Sequence, residues 1–274
     1  MSSSDTFRVA MIGDSTMRMQ ADALFALLSG ITTETGERPC PCTTNEEPCL
    51  CSGYGDGKNR NGSTLLRIDY YHVTEACVVS NVVANFVYFG CGLHILQRQL
   101  TWPISQASLQ SWTQYEKILE KSVLAYRSSG SARGGYLGEA FMTTHSIILE
   151  KMEDPMLGEI LAYARGDARA LSHCYERVNE LKRYMTELVF DIPPEDICTR
   201  GYFADTCVVA LNKRGKAVMR RLGVPIVPSY EITLNQHWAT PKRDGRHYVP
   251  LIPQELANFL GIIGMALREE RLPV

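Results

Sequence analysis

This chain of 274 residues contains neither a glycine-rich nucleotide loop nor a long uninterrupted apolar run. Without a GxGxxG or GxxxxGKS/T segment, it lacks the backbone cradle that dinucleotide-binding and P-loop proteins place around a phosphate. Its longest apolar stretch, VVSNVVANFVYFGCGL (78–93), is broken by Ser80, Asn81 and Asn85. It falls short of the roughly 18 clean apolar residues that crossing a bilayer takes, which predicts no membrane partner. Neither sign of charge is in excess. With 28 Lys and Arg against 30 Asp and Glu, the net charge is -2, which predicts no nucleic-acid partner bound through a basic surface. The N-terminus, MSSSDTFRVAMIGDS, has no basic segment followed by an apolar one, so no secretory signal is read there. A cytoplasmic protein is therefore expected, with the secretory pathway open if a leader precedes the sequence. No internal repeat is present. Apolar residues at 45% and charged residues at 21% are ordinary globular values and exclude disordered, collagen-like and coiled-coil classes.

Nine cysteines are present. Cys77, Cys91 and Cys207 sit in apolar runs and are expected as small core residues. Cys40, Cys42, Cys49 and Cys51 crowd into one short segment. Two local disulfides or a four-thiolate zinc site would both suit them. The single residue within each pair is shorter than the two to four of common zinc sites, so no metal is assigned. Residues 36–63, rich in Gly, Pro, Asn and Cys, are expected to form a loop insertion.

Along the rest of the chain, apolar runs alternate with helical periodicity. FRVAMI (7–12) reads as a buried strand ending at Gly13, and the residues after Ser15 as a helix closed by Gly30. Residues 64–73 and 85–90 are further strand candidates, 106–128 a helix, 128–135 a flexible break and 138–146 another strand. One or two helices are expected in 155–190, a helix in 204–222, a short strand at 224–227 and a terminal helix over 252–267. Strands alternating with helices predict one α/β domain over 1–274, a three-layer sandwich with a mostly parallel sheet. Residues 150–200 would form a helical insertion or lid. In such sheets ligands bind beyond the carboxyl ends of the strands, which directs attention to the residues just after each one.

Gly13-Asp14-Ser15 is the first such corner. Ser15 would present its hydroxyl where a strand turns into a helix, and the helix N-terminus favours a developing oxyanion there; Asp14 or Ser15 would serve equally well as a simple helix cap. Gly90-Cys91-Gly92-Leu93-His94 is the second corner, where small residues let backbone N–H groups approach a substrate oxygen. Asp244-Gly245-Arg246-His247, before the last helix, is the third feature. Asp and His three residues apart can place the carboxylate behind Nδ1 and leave Nε2 for a serine. His145, after a strand candidate, and Trp238, shortly before Asp244, are candidate substrate contacts, as are Asp14 and His94. Arg18, Trp102 and Trp112 are read as ordinary surface or core residues.

The order of these elements resembles the SGNH/GDSL hydrolase superfamily, and within it the PC-esterase branch that includes the trichome birefringence-like polysaccharide O-acetyltransferases. The resemblance rests on Gly13-Asp14-Ser15, Gly92-Leu93-His94 and Asp244-Gly245-Arg246-His247-Tyr248, with the stretches from Asn212 and from Gly223 to Thr233 lying between. It implies a flavodoxin-like sandwich in which Ser15 is a nucleophile, His247 its general base and Asp244 the orienting carboxylate. The N–H groups of Ser15 and Gly92, with Gly90 beside them, would form the oxyanion hole. The expected activity is that of a serine esterase or O-acyltransferase. It would act on ester-linked acyl groups, acetyl above all, of a carbohydrate or small molecule, with no cofactor. The chain departs from the family at Gly90, where many members carry an asparagine that donates to the oxyanion; neither Asn81 nor Asn85 can be assigned that role from sequence. That departure keeps open a catalytically impaired binding or interaction module of the same fold.

Overall fold

The computed structural model describes residues 7–29, 49–54, 66–73, 79, 81–93, 106–131, 135–148, 151, scattered helical positions between 168 and 179, and 205–271. In chain order the elements are β1 (Phe7–Gly13), α1 (Ser15–Ser29), β2 (Cys49–Tyr54), β3 (Leu66–His72), β4 (Phe86–Gly90), α2 (Gln106–Ser131), β5 (Gly138–Met142), α3 (Asp205–Leu222), β6 (Ile226–Val227), α4 (Ser229–Thr233) and α5 (Ile252–Arg271). Two single-turn 3₁₀ segments, His237–Ala239 and Val249–Leu251, lie between α4 and α5.

The strands form one sheet in the order β2-β3-β1-β4-β5-β6. β3, β1, β4, β5 and β6 run parallel, and β2 joins the outer edge of β3 antiparallel. Parallel neighbours need crossover connections, so helices cover both faces and the central strands β1 and β4 become largely apolar. β1 shows this directly. Val9 and Met11 pack with α1 and α5 on one face, and Ala10 and Ile12 with α2 and α3 on the other. On the first face Phe259 of α5 stacks on Tyr88 at 4.1 Å and meets Phe86 edge-on at 6.0 Å. On the second, Phe89 lies between Phe141 and Tyr126. The result is a three-layer α/β sandwich.

The strand order fixes where a ligand can bind. From β1 the chain crosses to β3 on one side, then returns to β4 on the other, so the connections diverge above the β1–β4 boundary. Such a divergence opens a crevice at the carboxyl ends of the strands. Gly13 and Gly90, the last residues of β1 and β4, are paired across that boundary. A side chain at Gly13 would place its Cβ 2.5 Å from the Gly90 carbonyl oxygen and 2.7 Å from the Met17 Cβ. Only glycine lets β1 end this close to β4 and turn at once into α1.

Several elements differ from their sequence-based outlines. The expected loop insertion at 36–63 contains β2, because Cys49–Tyr54 find an open edge on β3; the rest of that segment lies outside the described residues. The expected break at 128–135 begins late, since α2 continues to Ser131. β5 ends at Met142 rather than at 146, because residues 144–146 bond to Asn212 of α3, Glu255 of α5 and Thr233 of α4 instead of a strand. α5 extends to Arg271, and by length and composition its region, Val249–Glu269, is apolar enough to cross a membrane, with a mean hydropathy of 1.3. The sequence predicts the helix itself, over 252–267. In the fold its apolar stripe, Ile252, Leu256, Phe259 and Ile263, is buried against the sheet. Cys91 is disulfide-bonded, not a plain core thiol, whereas Cys207 is a fully buried core residue, as expected. Cys40, Cys42, Cys77, Trp102 and the greater part of the 150–200 insertion lie outside the described residues.

Phe259 ties α5 to the sheet centre, so Phe259→Ala should cost about 3–5 kcal/mol through the cavity it leaves. Denaturant titration should show a lower unfolding midpoint at an unchanged slope.

Candidate active site

Ser15 is the first residue of α1, directly beyond the β1 turn. Asp14 precedes it as the cap: its Oδ1 accepts the Thr16 N–H at 2.9 Å and the Thr16 hydroxyl at 2.6 Å. This cap satisfies one amide of the first turn and leaves others facing the crevice. Beneath the turn, the Tyr70 hydroxyl lies 3.1 Å from the Gly13 carbonyl and 3.0 Å from that of Asp14. It also lies 2.8 Å from His72 Nδ1. Burial first, and the negative Asp14 next, hold the Tyr70 phenol well above its usual range, so it remains a neutral donor under the turn.

The segment before α5 delivers the second half of the site. Arg243 and Gly245 both adopt positive φ, 76° and 71°, and fold the chain tightly around Asp244. One carboxylate then does two things. Its Oδ1 accepts the backbone N–H groups of Arg246 and His247, each at 3.2 Å. Its Oδ2 faces His247 Nδ1 at 2.8 Å. Burial alone would raise the Asp244 carboxyl, but the hydrogen bond and charge of His247, with the two amides, hold it below the ordinary value. A proton on Nδ1 facing Asp244 leaves Nε2 as the acceptor, and Nε2 lies 2.8 Å from the Ser15 hydroxyl oxygen. Side chains 232 positions apart in sequence thus form one hydrogen-bonded line, Ser15–His247–Asp244.

A cleft lies beside this line, lined among others by Asp14, Gly92, Thr144, His145 and Arg246. Of the other residues singled out in sequence, Gly90 and Gly92 lie on the cleft wall. Gly92 is obligatory there, because a Cβ would come within 2.5 Å of both Leu211 and the Thr144 hydroxyl. Asp14 reaches the cleft while serving as the cap. Trp238 is 68% exposed and bonds through Nε1 to Gln236, on the same loop as Asp244. His94 lies outside the described residues. Asn85 belongs to the opposite end of the sheet, where it bonds Arg8 and Gly135, and Asn81 sits at a positive-φ turn before β4. Neither stands at the carboxyl end of a strand. Among the described residues, no group of three or more His, Cys, Asp or Glu side chains is placed to hold a metal ion.

Sequence reasoning missed the polar support under the cleft. His145 is buried, with Nε2 2.6 Å from Glu255 Oε1 and Nδ1 3.3 Å from the Arg246 carbonyl. Glu255 also accepts from Gln20 at 2.7 Å, and Gln20 accepts from the Tyr88 hydroxyl at 2.9 Å. Burial pulls the His145 imidazole down, yet Glu255, the Arg246 carbonyl and Asp14 outweigh it and leave it raised. A carbonyl accepts only, and so does an ionised carboxylate, so both ring nitrogens act as donors in the imidazolium form. The one sequence signal was a glutamate inside an otherwise apolar helix stripe, spaced to face inward.

A scan against protein-family models finds no match, and a search of curated proteins finds no similar sequence.

Two predictions follow from this geometry. Because the His145 pKa is raised, its contribution to stability is full below the ordinary imidazole range and is lost as pH rises through the raised value. The groups facing it are Glu255 from α5, Asp14 from the β1 turn and Tyr248 at ring contact. Glu255→Gln should flatten this alkaline limb in unfolding measured across pH and cost roughly 3–5 kcal/mol near neutrality, as for other broken buried pairs. Asp244→Asn should loosen the turn and free the His247 ring to take the other tautomer. Nitrogen NMR of the imidazole should then show loss of the Nδ1-protonated signal that the wild type gives.

Proposed function

We propose that the protein is a serine esterase or O-acyltransferase working through an acyl-serine. The observation that carries this reading is the line Ser15–His247–Asp244, with both hydrogen bonds at 2.8 Å, at the sheet position where α/β proteins bind ligands. The resemblance of its three short motifs to the SGNH/GDSL superfamily and its PC-esterase branch supports the same conclusion.

The residues act as follows in this reading. The Ser15 oxygen attacks an ester carbonyl carbon while its proton passes to His247 Nε2. Asp244 holds the imidazole in register and stabilises the imidazolium as it forms. The carbonyl oxygen gains negative charge and draws hydrogen bonds from the N–H groups of Ser15 and Gly92, next to the positive end of α1. As the tetrahedral centre collapses, the ester C–O bond breaks and the departing alkoxide takes the proton from His247. Water or a second hydroxyl then attacks the acyl-serine with His247 again as base; water completes hydrolysis and a sugar hydroxyl completes transfer. No metal or organic cofactor enters these steps.

The exposed Trp238 ring on the adjoining loop offers a flat apolar face for a sugar or another small alcohol component. A second reading, a binding module without turnover, draws on Gly90. Glycine has no side chain, so the side-chain donor that many family members carry there is missing from that position.

A fluorophosphonate probe decides between the two. Wild-type protein should be labelled covalently at Ser15, and Ser15→Ala should take no label and lose ester hydrolysis while melting like the wild type. A folded wild-type sample that takes no label would favour the binding module.

A further inference from the structure

The segment Thr143-Thr144-His145-Ser146 leaves β5 at the carboxyl edge of the sheet and carries a polar side chain at every position. Three of the four are engaged. The Thr143 hydroxyl donates to the Val227 carbonyl and accepts from the Tyr230 N–H. His145 is paired with Glu255. The Ser146 hydroxyl donates to the Thr233 carbonyl and lies 3.1 Å from the Tyr248 hydroxyl. The Thr144 hydroxyl alone has no hydrogen-bond partner among the described residues, and Thr144 is half-buried on the wall of the cleft.

Its position is fixed rather than incidental. The Thr144 backbone is held from both sides by one carboxamide: Asn212 Oδ1 accepts its N–H at 2.9 Å, and Asn212 Nδ2 donates to its carbonyl at 2.9 Å. With the backbone pinned, the hydroxyl stands against Gly92, at 2.5 Å from where a Cβ on that glycine would lie. Gly92 is the residue whose N–H faces the developing charge in the reaction above. A hydroxyl with no partner among the described residues, on the cleft wall beside an amide that serves the same oxygen, is the arrangement of a preorganised donor.

We propose that the Thr144 hydroxyl is the side-chain oxyanion donor of this site, filling the role that position 90 cannot. This rests on the acyl-serine reading. During attack by Ser15, the Thr144 O–H donates to the carbonyl oxygen as it becomes an oxyanion, keeps its own proton throughout and relaxes when the carbonyl reforms. The bond gains strength only as charge develops, so its loss lowers turnover more than substrate binding.

The test compares wild type, Thr144→Val and Thr144→Ser with p-nitrophenyl acetate as substrate, alongside thermal melting and fluorophosphonate labelling. Valine keeps the shape and removes the donor, so kcat should fall by about 10²–10³-fold with KM little changed. Serine keeps the hydroxyl and should restore most of the loss. The proposal is overturned if the valine variant turns over like the wild type, or if valine and serine variants lose activity equally at unchanged melting temperature. Wild type that is neither labelled nor active would overturn it together with the acyl-serine reading, and that outcome is visible without any variant.

Discussion

A buried hydrogen-bonded chain, Tyr88–Gln20–Glu255–His145–Arg246, ties the structure together. It draws one contribution each from β4, α1, α5, the loop after β5 and the turn before α5. An isolated charge at Glu255 would be very costly in that position, since the side chain has no exposure. Its partners are therefore obligatory, and they hold elements from the two ends of the chain in one place. The N-terminal turn that carries Ser15 and the C-terminal turn that carries His247 are not adjacent by accident of packing. Both rest on the same ionic hub, through Gln20 of α1 and the Arg246 carbonyl.

Above that hub, each part of the Ser15–His247–Asp244 line is positioned by backbone rather than by side-chain choice alone. Gly13 lets β1 approach β4, Tyr70 supports the carbonyls of the turn, and Asp14 closes the first turn of α1. Asp244 shapes its own loop with one oxygen and orients the imidazole with the other. The site is thus rigid before any ligand arrives, which is the condition under which fixed dipoles stabilise a developing charge. It also explains the concentration of glycines at positions 13, 90 and 92, where backbone or neighbouring side chains occupy the space that a Cβ would need.

Much of this was legible in the sequence, for identifiable reasons. The parallel strands are buried on both faces, so FRVAMI and NFVYFG stand out as apolar runs without alternation. Ser15 and the Asp244–His247 pair were visible because each is a local pattern: a strand-to-helix corner and a three-residue spacing. What stayed hidden was long-range. β2 exists because β3 leaves an edge open, not because Cys49–Tyr54 resemble a strand. His145 was legible as a candidate substrate contact but not as a buried ion-pair partner, since Glu255 lies 110 positions away. Thr144 falls within Thr143 to Ser146, the residues just after a strand, but nothing in sequence separates it from its neighbours. Its hydroxyl stands out only once its neighbours Thr143, His145 and Ser146 are seen to be occupied.

The sheet has a second polar end, remote from the cleft. There Arg127 bonds Glu139 and the Leu222 carbonyl, the Tyr136 hydroxyl donates to Glu139, and Asn85 bridges Arg8 and Gly135. With strands five to seven residues long, the two ends are separated by about 17–23 Å. Attachment to a solid support or a reporter dye through the chain near Gly135 would therefore leave the mouth of the crevice open to solution.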